Sequence, residues 1–152
     1  MKKIFLTSLL AISLLVANAQ YKHSIGLAFG SPSGISYKTF ILNNKALDFT
    51  LGGFGYYFSV AGMYEIHAPL EAFDNTQWYY GFGAHIGSWS GNHYGDGAFL
   101  GVDGAIGVEY NPNIPFAFSL DFRPGINLIG NEWGSQRHLF FPQSQLSVRY
   151  IF

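Results

Sequence analysis

The feature that most constrains this chain is a two-residue alternation of side-chain character that recurs along most of its length. Such alternation is typical of β-strands whose two faces meet different surroundings. In the clearest segment, Phe116, Phe118, Leu120 and Phe122 alternate with Ala117, Ser119, Asp121 and Arg123. The pattern predicts eight strands, near residues 24–29, 35–39, 47–52, 58–67, 77–87, 99–110, 116–123 and 145–152.

The two faces of these strands differ in chemistry. One set of positions is almost wholly aliphatic or aromatic. The other set is dominated by glycine and small residues and carries the strand charges and two histidines: Lys38, Asp48, Glu65, His67, His85, Asp103, Glu109, Asp121, Arg123 and Arg149. A soluble sandwich would bury the apolar set and expose the polar one, whereas a membrane barrel would do the reverse.

Two observations favour the inverted arrangement. Small residues on the polar face suit a narrow lumen, and aromatic residues cluster near the strand ends, as interfacial girdles do. One predicted girdle contains Trp78, Tyr80, Tyr110, Tyr150 and Phe152, and the other Phe58, Trp89, Phe99, Trp133 and Phe140. We therefore predict an all-β fold, an eight-stranded antiparallel up-and-down transmembrane β-barrel, with a secreted soluble barrel or sandwich as the alternative.

The first twenty residues predict export. Lys2 and Lys3 precede a short apolar run, and Ala17-Asn18-Ala19 places small residues where signal peptidase requires them. The run is shorter than the roughly 20 residues that a spanning helix needs. We expect residues 1–19 to be a cleaved signal peptide and residues 20–152 to form the barrel.

Composition excludes several classes of protein. Charged residues make up 11% of the chain, against roughly 25% in a typical soluble domain, which argues against a disordered chain. A net charge of −1 argues against nucleic-acid binding. With no cysteine there is no disulfide, thiol nucleophile or thiolate metal site. The length of 152 residues fits one domain, and we expect no cofactor.

Turn-forming residues separate the predicted strands. Short polar turns at residues 43–45, 69–76 and 111–113 are expected at the periplasmic side, with both termini. The outer loops are expected at residues 30–34, 53–57, 88–97 and 129–137, which is short for such loops. Pro142 lacks an N–H for strand pairing, so a bulge or strand end around residues 141–142 could shift the register of the last strand.

The last seven residues, LSVRYIF, resemble the C-terminal strand of bacterial outer-membrane barrels, which ends in phenylalanine. The resemblance implies that the barrel-assembly machinery recognises this strand through Tyr150 and Phe152. Residues 30–38 (GSPSGISYK), 101–110 (GVDGAIGVEY) and 114–130 (IPFAFSLDFRPGINLIG) resemble small outer-membrane barrel proteins of the Bacteroidota, of the OmpX and OmpA barrel type. This resemblance implies a fold and a bacterial outer-membrane location, and no activity.

The charges on the polar face predict a lumen network. Eight residues are expected to take part: Lys38, Asp48, Glu65, Asp103, Glu109, Asp121, Arg123 and Arg149. An eight-stranded barrel is just wide enough for side chains to fill it, and buried charges must be paired. We therefore expect paired charged side chains to fill the lumen in a structural role, and the alternative is a narrow path for solutes or protons.

Candidate chemistry outside the lumen is weaker. Ser90, His93 and Asp96 lie within one predicted outer loop and could form a nucleophile, base and orienting acid. They would suit an outer-leaflet lipid A acyl hydrolase or transferase. Trp133 and Arg137 in the next loop could contact lipopolysaccharide. No metal site is expected, because His67 and His85 lack tight ligand spacing.

We therefore favour a structural or surface-interaction role in the outer membrane over an enzymatic one. The expected partners are outer-membrane lipids, lipopolysaccharide and, during biogenesis, the barrel-assembly machinery. No nucleic-acid partner is expected, and a monomer is favoured.

Overall fold

The computed structural model describes residues 22–30, 32–54, 57–90, 96–130 and 141–152. These residues form eight strands: β1 (His23–Gly30), β2 (Gly34–Leu42), β3 (Lys45–Phe54), β4 (Tyr57–Pro69), β5 (Thr76–Trp89), β6 (Gly97–Tyr110), β7 (Phe116–Ile129) and β8 (Phe141–Ile151). Each strand pairs antiparallel with the next, and β1 pairs with β8 to close a barrel. The predicted all-β, eight-stranded antiparallel barrel is confirmed.

The described residues contain no helix that is long and apolar enough to cross a membrane. The predicted signal peptide, residues 1–19, lies outside the described residues.

Burial alternates along the strands with the period of the sequence. On β7, for example, Phe118, Leu120 and Phe122 are exposed while Ser119 and Asp121 between them are buried. The barrel thus has a polar interior and an apolar exterior. Its one cluster of buried apolar side chains is small within the described residues, comprising Phe40, Ala46 and Ala117 with Ile151 packed against it.

The two ends of the barrel differ. At the turn end, both ends of the described chain lie beside the connections 43–44, 70–75 and 111–115. Backbone hydrogen bonds join neighbouring elements there, including Phe152 N to His23 O at 3.0 Å and Asn111 N to Asn75 O at 2.8 Å. The loop end carries the opposite ends of the strands, from Gly30 on β1 and Gly34 on β2 to Ile129 on β7 and Phe141 on β8.

No register shift occurs at Pro142. Pro142 lies directly opposite Pro124, and the β7–β8 register is continuous from Phe116 to Gly125. Irregularities lie elsewhere, between Phe40 and Leu42 on β2 and between Leu100 and Gly101 on β6. Pro142 is tolerated because β1 ends at Gly30, which pairs with Gln145, so β8 has no β1 partner at Pro142.

Candidate functional site: a charged network inside the barrel

Lys38 on β2 is a central cation of the interior. Its Nζ lies 2.7 Å from Glu65 Oε2 and 3.0 Å from Glu109 Oε2, on strands β4 and β6. It also lies 4.4 Å from the centroid of the Tyr79 ring, close enough for a cation–π interaction. All four side chains are fully buried, so these contacts replace the water that the ammonium loses on folding.

Asp48 on β3 contacts side chains from three other strands. Arg149 Nη2 donates to Asp48 Oδ2 at 2.7 Å, and Arg123 Nη2 lies 3.4 Å from the same oxygen. Ser36 Oγ donates to Asp48 Oδ1 at 3.2 Å. Arg149 also donates to Ser119 Oγ at 2.9 Å, which ties β8 back to its neighbour β7.

Arg123 and Asp121 face inward from the same strand. Arg123 Nε donates to Asp121 Oδ1 at 2.7 Å, and Arg123 Nη2 donates to Asp121 Oδ2 at 3.2 Å. Tyr79 OH donates to the same Asp121 Oδ2 at 2.6 Å. The two hydrogen bonds from Arg123 to Asp121 form the bidentate geometry in which arginine binds a carboxylate most specifically.

Small residues make room for these long side chains. The inward positions of β1 are Ser24, Gly26 and Ala28, and Gly26 lies directly opposite Arg149. On β6, a Cβ at Gly107 would lie 2.7 Å from Tyr79 Cζ and 2.6 Å from Asp121 Cβ. Glycine at position 107 therefore allows the tyrosine ring to pass over β6 and reach Asp121 on β7.

The structure places all eight predicted lumen residues inside the barrel and brings seven of them together. These seven, with Tyr79, Ser36 and Ser119, are called the central network below. Lysine and arginine supply three of its charges and carboxylates supply four, so the network carries a net charge of −1 when His67 is neutral. His67 Nε2 lies 3.1 Å from Glu65 Oε2 at its edge.

Asp103 is the exception, because it belongs to a separate cluster nearer the loop end. His85 Nδ1 lies 2.8 Å from Asp103 Oδ2, and His85 Nε2 lies 2.8 Å from Asn127 Oδ1. This histidine cluster links β5, β6 and β7 through one ring whose two nitrogens both face oxygen atoms. His85 and His67 therefore do not meet, and the described residues contain no group of three metal-ligating side chains.

A small cavity separates the histidine cluster from the central network. Its volume is about 10 Å³, and its lining includes Ser59, Asp103 and Arg123. Within the described residues, Ser59 Oγ, Asp103 Oδ1 and Arg123 Nη1 are buried and have no hydrogen-bond partner. Three residues with an unpaired buried polar atom thus line one space that is the size of a single water molecule.

Sequence reasoning did not identify Ser36, Tyr79 and Ser119 as members of the central network, or Asn127 as a member of the histidine cluster. The alternation already placed Ser36, Tyr79 and Ser119 on the inward face. Only the structure shows that their hydroxyl groups bond charged side chains. Asn127 lies beyond the predicted end of its strand, which the structure extends to Ile129.

The loop-end girdle differs from the prediction. Phe58 faces outward and is exposed, but Phe99 is buried inside the barrel. Phe99 stacks on Tyr57 and on Trp89, at centroid distances of 5.5 Å and 5.8 Å. The reason is parity, because Phe99 lies an even number of residues from inward-facing Asp103 on β6. Trp133, Arg137 and Phe140 lie outside the described residues.

The predicted catalytic loop is described in part. Ser90 Oγ donates to Asp96 Oδ1 at 2.6 Å in an exposed position, and His93 lies outside the described residues. In a nucleophilic triad the serine hydroxyl donates to the histidine base, and the acid bonds the far side of that histidine. Here the serine donates directly to the acid.

The C-terminal pair lies at the turn end. Tyr150 is exposed on the outer surface and meets the Phe116 ring edge-on at 5.6 Å. Phe152 stacks on His23 at 5.9 Å.

Comparisons with protein families, with curated proteins and with solved structures gave no significant match to this chain.

Proposed function

We propose that this chain is a bacterial outer-membrane barrel protein with a structural or surface-interaction role. In this proposal residues 1–19 direct export, and the outer surface of the barrel contacts lipid and lipopolysaccharide. The barrel-assembly machinery recognises the strand that ends in Tyr150 and Phe152. The folded protein is a monomer, and no nucleic acid takes part.

The observation that carries the proposal is the inversion of polarity between interior and exterior. Wholly buried side chains include Lys38, Asp48 and Arg149, while Phe82 is 66% exposed and Leu128 is 63% exposed. In water this arrangement would leave a continuous apolar surface far larger than soluble monomers tolerate. In a bilayer the apolar exterior would contact lipid and the polar interior would be shielded from it. Closure of the barrel also pairs the strand edges, whose backbone groups cannot form hydrogen bonds with lipid.

The central network supports a filled lumen over a pore. Its contacts cross the interior between strands that are not neighbours, such as Lys38 on β2 with Glu109 on β6 and Arg149 on β8 with Asp48 on β3. Passage of a solute would have to separate ion pairs that are fully buried, and a buried charge without its partner is costly. In this proposal the central network therefore fills the lumen and blocks passage through it.

Heat modifiability in detergent tests the proposal. We expect the unboiled mature protein to migrate differently from the boiled sample in gel electrophoresis and to give a β-type circular dichroism spectrum. A mature chain that is soluble and monomeric without detergent would overturn the proposal, and the apolar surface would then need another cover.

Recordings across planar lipid bilayers test the filled lumen separately. We expect no discrete conductance steps from the inserted wild-type protein. Arg149→Ala serves as the comparison, because it removes a cationic side chain that crosses the interior. Conductance steps seen only in this variant would show that the central network is what closes the lumen to ions. Steps in the wild type would contradict the filled lumen and leave the membrane location intact.

A further inference from the structure

The barrel wall is much lower on one side than on the other. Strands β1 and β2 have 8 and 9 residues, whereas β5, β6 and β7 have 14 each. At about 3.3 Å per residue and a tilt of about 45°, 8 residues rise about 19 Å and 14 residues about 33 Å.

The difference in height lies at the loop end, because backbone hydrogen bonds hold the turn ends together. Phe40 N donates to Lys22 O at 2.9 Å, and Ile151 N donates to Pro115 O at 3.0 Å. These bonds, with those already given at the turn end, link β1, β2, β7 and β8 at one level. The rim is therefore lowest at the connection between β1 and β2.

This low rim is fixed in place by contacts on both sides. Gln145 Nε2 on β8 donates to Pro32 O at 2.8 Å, and Gly53 N on β3 donates to Ser33 O at 3.2 Å. Ser33 Oγ also donates to Gly30 O at 2.6 Å, which closes the reversal on itself. The low rim on the β1–β2 side is thus held in place by hydrogen bonds to both neighbouring strands.

The outer surface follows the same asymmetry. On β1 the outward apolar positions are Ile25, Leu27 and Phe29. On β7 they are Phe116, Phe118, Leu120, Phe122, Pro124, Ile126 and Leu128. At the loop end of the short side, the exposed residues are no longer apolar but are the serines Ser33 and Ser144. Polar groups thus lie at a height where β7 still presents apolar side chains.

We propose that the lipid bilayer is thinner beside β1 and β2 than beside β7, so that this side of the barrel draws loop-side headgroups toward the membrane centre. The inference rests on the proposed function. An apolar belt of about 25 Å is usual for outer-membrane barrels, which the long side exceeds and the short side cannot reach. A bilayer accommodates a span that is too short by thinning locally. The partner of this surface is therefore lipid, held in a deformed arrangement.

Depth measurements with spin labels test the inference. The chain has no cysteine, so a single introduced cysteine gives one labelled site. Phe29→Cys on β1 and Phe122→Cys on β7 are matched, because each residue faces outward and lies six residues beyond the first residue of its strand. Each labelled protein is placed in dioleoylphosphatidylcholine vesicles, and label collisions with oxygen and with a neutral nickel chelate are measured.

We expect the ratio of oxygen to nickel collisions to be several-fold lower at position 29 than at position 122. The label at position 29 would then lie near the headgroups, although both sites have the same height above the turn end. A second pair, Ile25→Cys and Phe118→Cys, lies two residues beyond each strand start and controls for tilting of the whole barrel. We expect equal ratios for this second pair.

The other outcomes separate the two proposals. Equal ratios at positions 29 and 122, both typical of hydrocarbon, would overturn the thinning and leave the membrane proposal standing. Unequal ratios at positions 25 and 118 would overturn it as well, since a tilted barrel would explain the first pair. Labels that are all accessible to the nickel chelate would show that the barrel is not inserted and would overturn both.

Discussion

Arg149 on the last strand and Asp48 on the third meet inside the barrel, with Arg149 Nη2 2.7 Å from Asp48 Oδ2 and both side chains fully buried. The strands that carry them are separated by β1 and β2 in the closed sheet. The pair therefore braces the wall across the interior. A buried ion pair adds little compared with apolar packing, but removing one partner leaves a charge without compensation.

Arg149→Met is expected to destabilise the barrel more than Asp48→Asn. The first change takes the central network from a net charge of −1 to −2, and the second takes it to 0 while keeping a hydrogen-bond acceptor. We expect Arg149→Met to cost about 3–5 kcal/mol, the range for a broken buried pair. Urea unfolding of the refolded proteins, followed by tryptophan fluorescence, measures both. Equal losses, or the reverse order, would contradict the charge balance described above.

Two glycines on β6 are expected to respond in opposite ways to alanine. At Gly107, which faces inward, a Cβ would lie 2.6 Å from Asp121 Cβ, so Gly107→Ala should cost about 1–3 kcal/mol through overpacking. At Gly104, which faces outward, the nearest atom would be Pro124 Cγ at 3.6 Å. Gly104→Ala should be neutral or stabilise by up to about 1 kcal/mol, because alanine loses less backbone entropy. The same unfolding measurement compares them, and equal effects would argue against the assigned faces.

The fold could be predicted because the two-residue period assigns each side chain to a face without knowledge of its neighbours. Lys38, Glu65 and Glu109 were placed inside the barrel in this way. Which inward charges meet depends on their height along the strands. Asp103 and Glu109 share a face of β6 but are about 20 Å apart along the strand, at about 3.3 Å per residue. To predict that the inward charges form two clusters, one would therefore need to know the register of all eight strands.

Aromatic residues show a second limit of sequence reasoning. Phe99 and Phe58 both lie near the loop end, and proximity to a strand end suggested the same girdle role for both. Their positions within the alternation differ, so Phe58 faces outward and Phe99 inward. Tyr79 shows the converse, since its inward position was evident but its bond to Asp121 was not. A residue type indicates a role only after its face is known.

Arginine on the outer surface is expected to cost more at mid-strand than at a strand end. Phe122 and Phe116 face outward from β7 with similar exposures of 42% and 39%. In a bilayer, Phe122→Arg should destabilise by about 2–4 kcal/mol and Phe116→Arg by about 0–1 kcal/mol, because the cost rises toward the midplane. Folding into phosphatidylcholine vesicles under urea measures the difference. Two variants of equal or improved stability would point to an outer surface that faces water.

One ordered water is expected in the cavity between the histidine cluster and the central network. It would accept from Arg123 Nη1, donate to Asp103 Oδ1 and bond Ser59 Oγ, because the residues that carry these atoms line a space of about 10 Å³. A high-resolution crystal structure checks this directly. Ser59→Ala should weaken the water density, whereas Ser147→Ala, which removes a buried hydroxyl outside the cavity lining, should not. Direct contact between Asp103 and Arg123, with no water between them, would contradict the prediction.

Ser90→Ala and His93→Ala are expected to leave the acyl-chain profile of lipid A unchanged. A serine nucleophile needs a base that accepts its proton as it attacks, and histidine serves because its basicity suits that transfer near neutral pH. Ser90 instead donates to Asp96 at 2.6 Å in an exposed position, so its hydroxyl proton is directed at a carboxylate and not at a histidine. Mass spectrometry of lipid A from cells that express the wild type, each variant or no copy of the protein makes the comparison. A profile that changes with the wild type and reverts in both variants would establish the acyl hydrolase or transferase instead, with Ser90 and His93 in its active site.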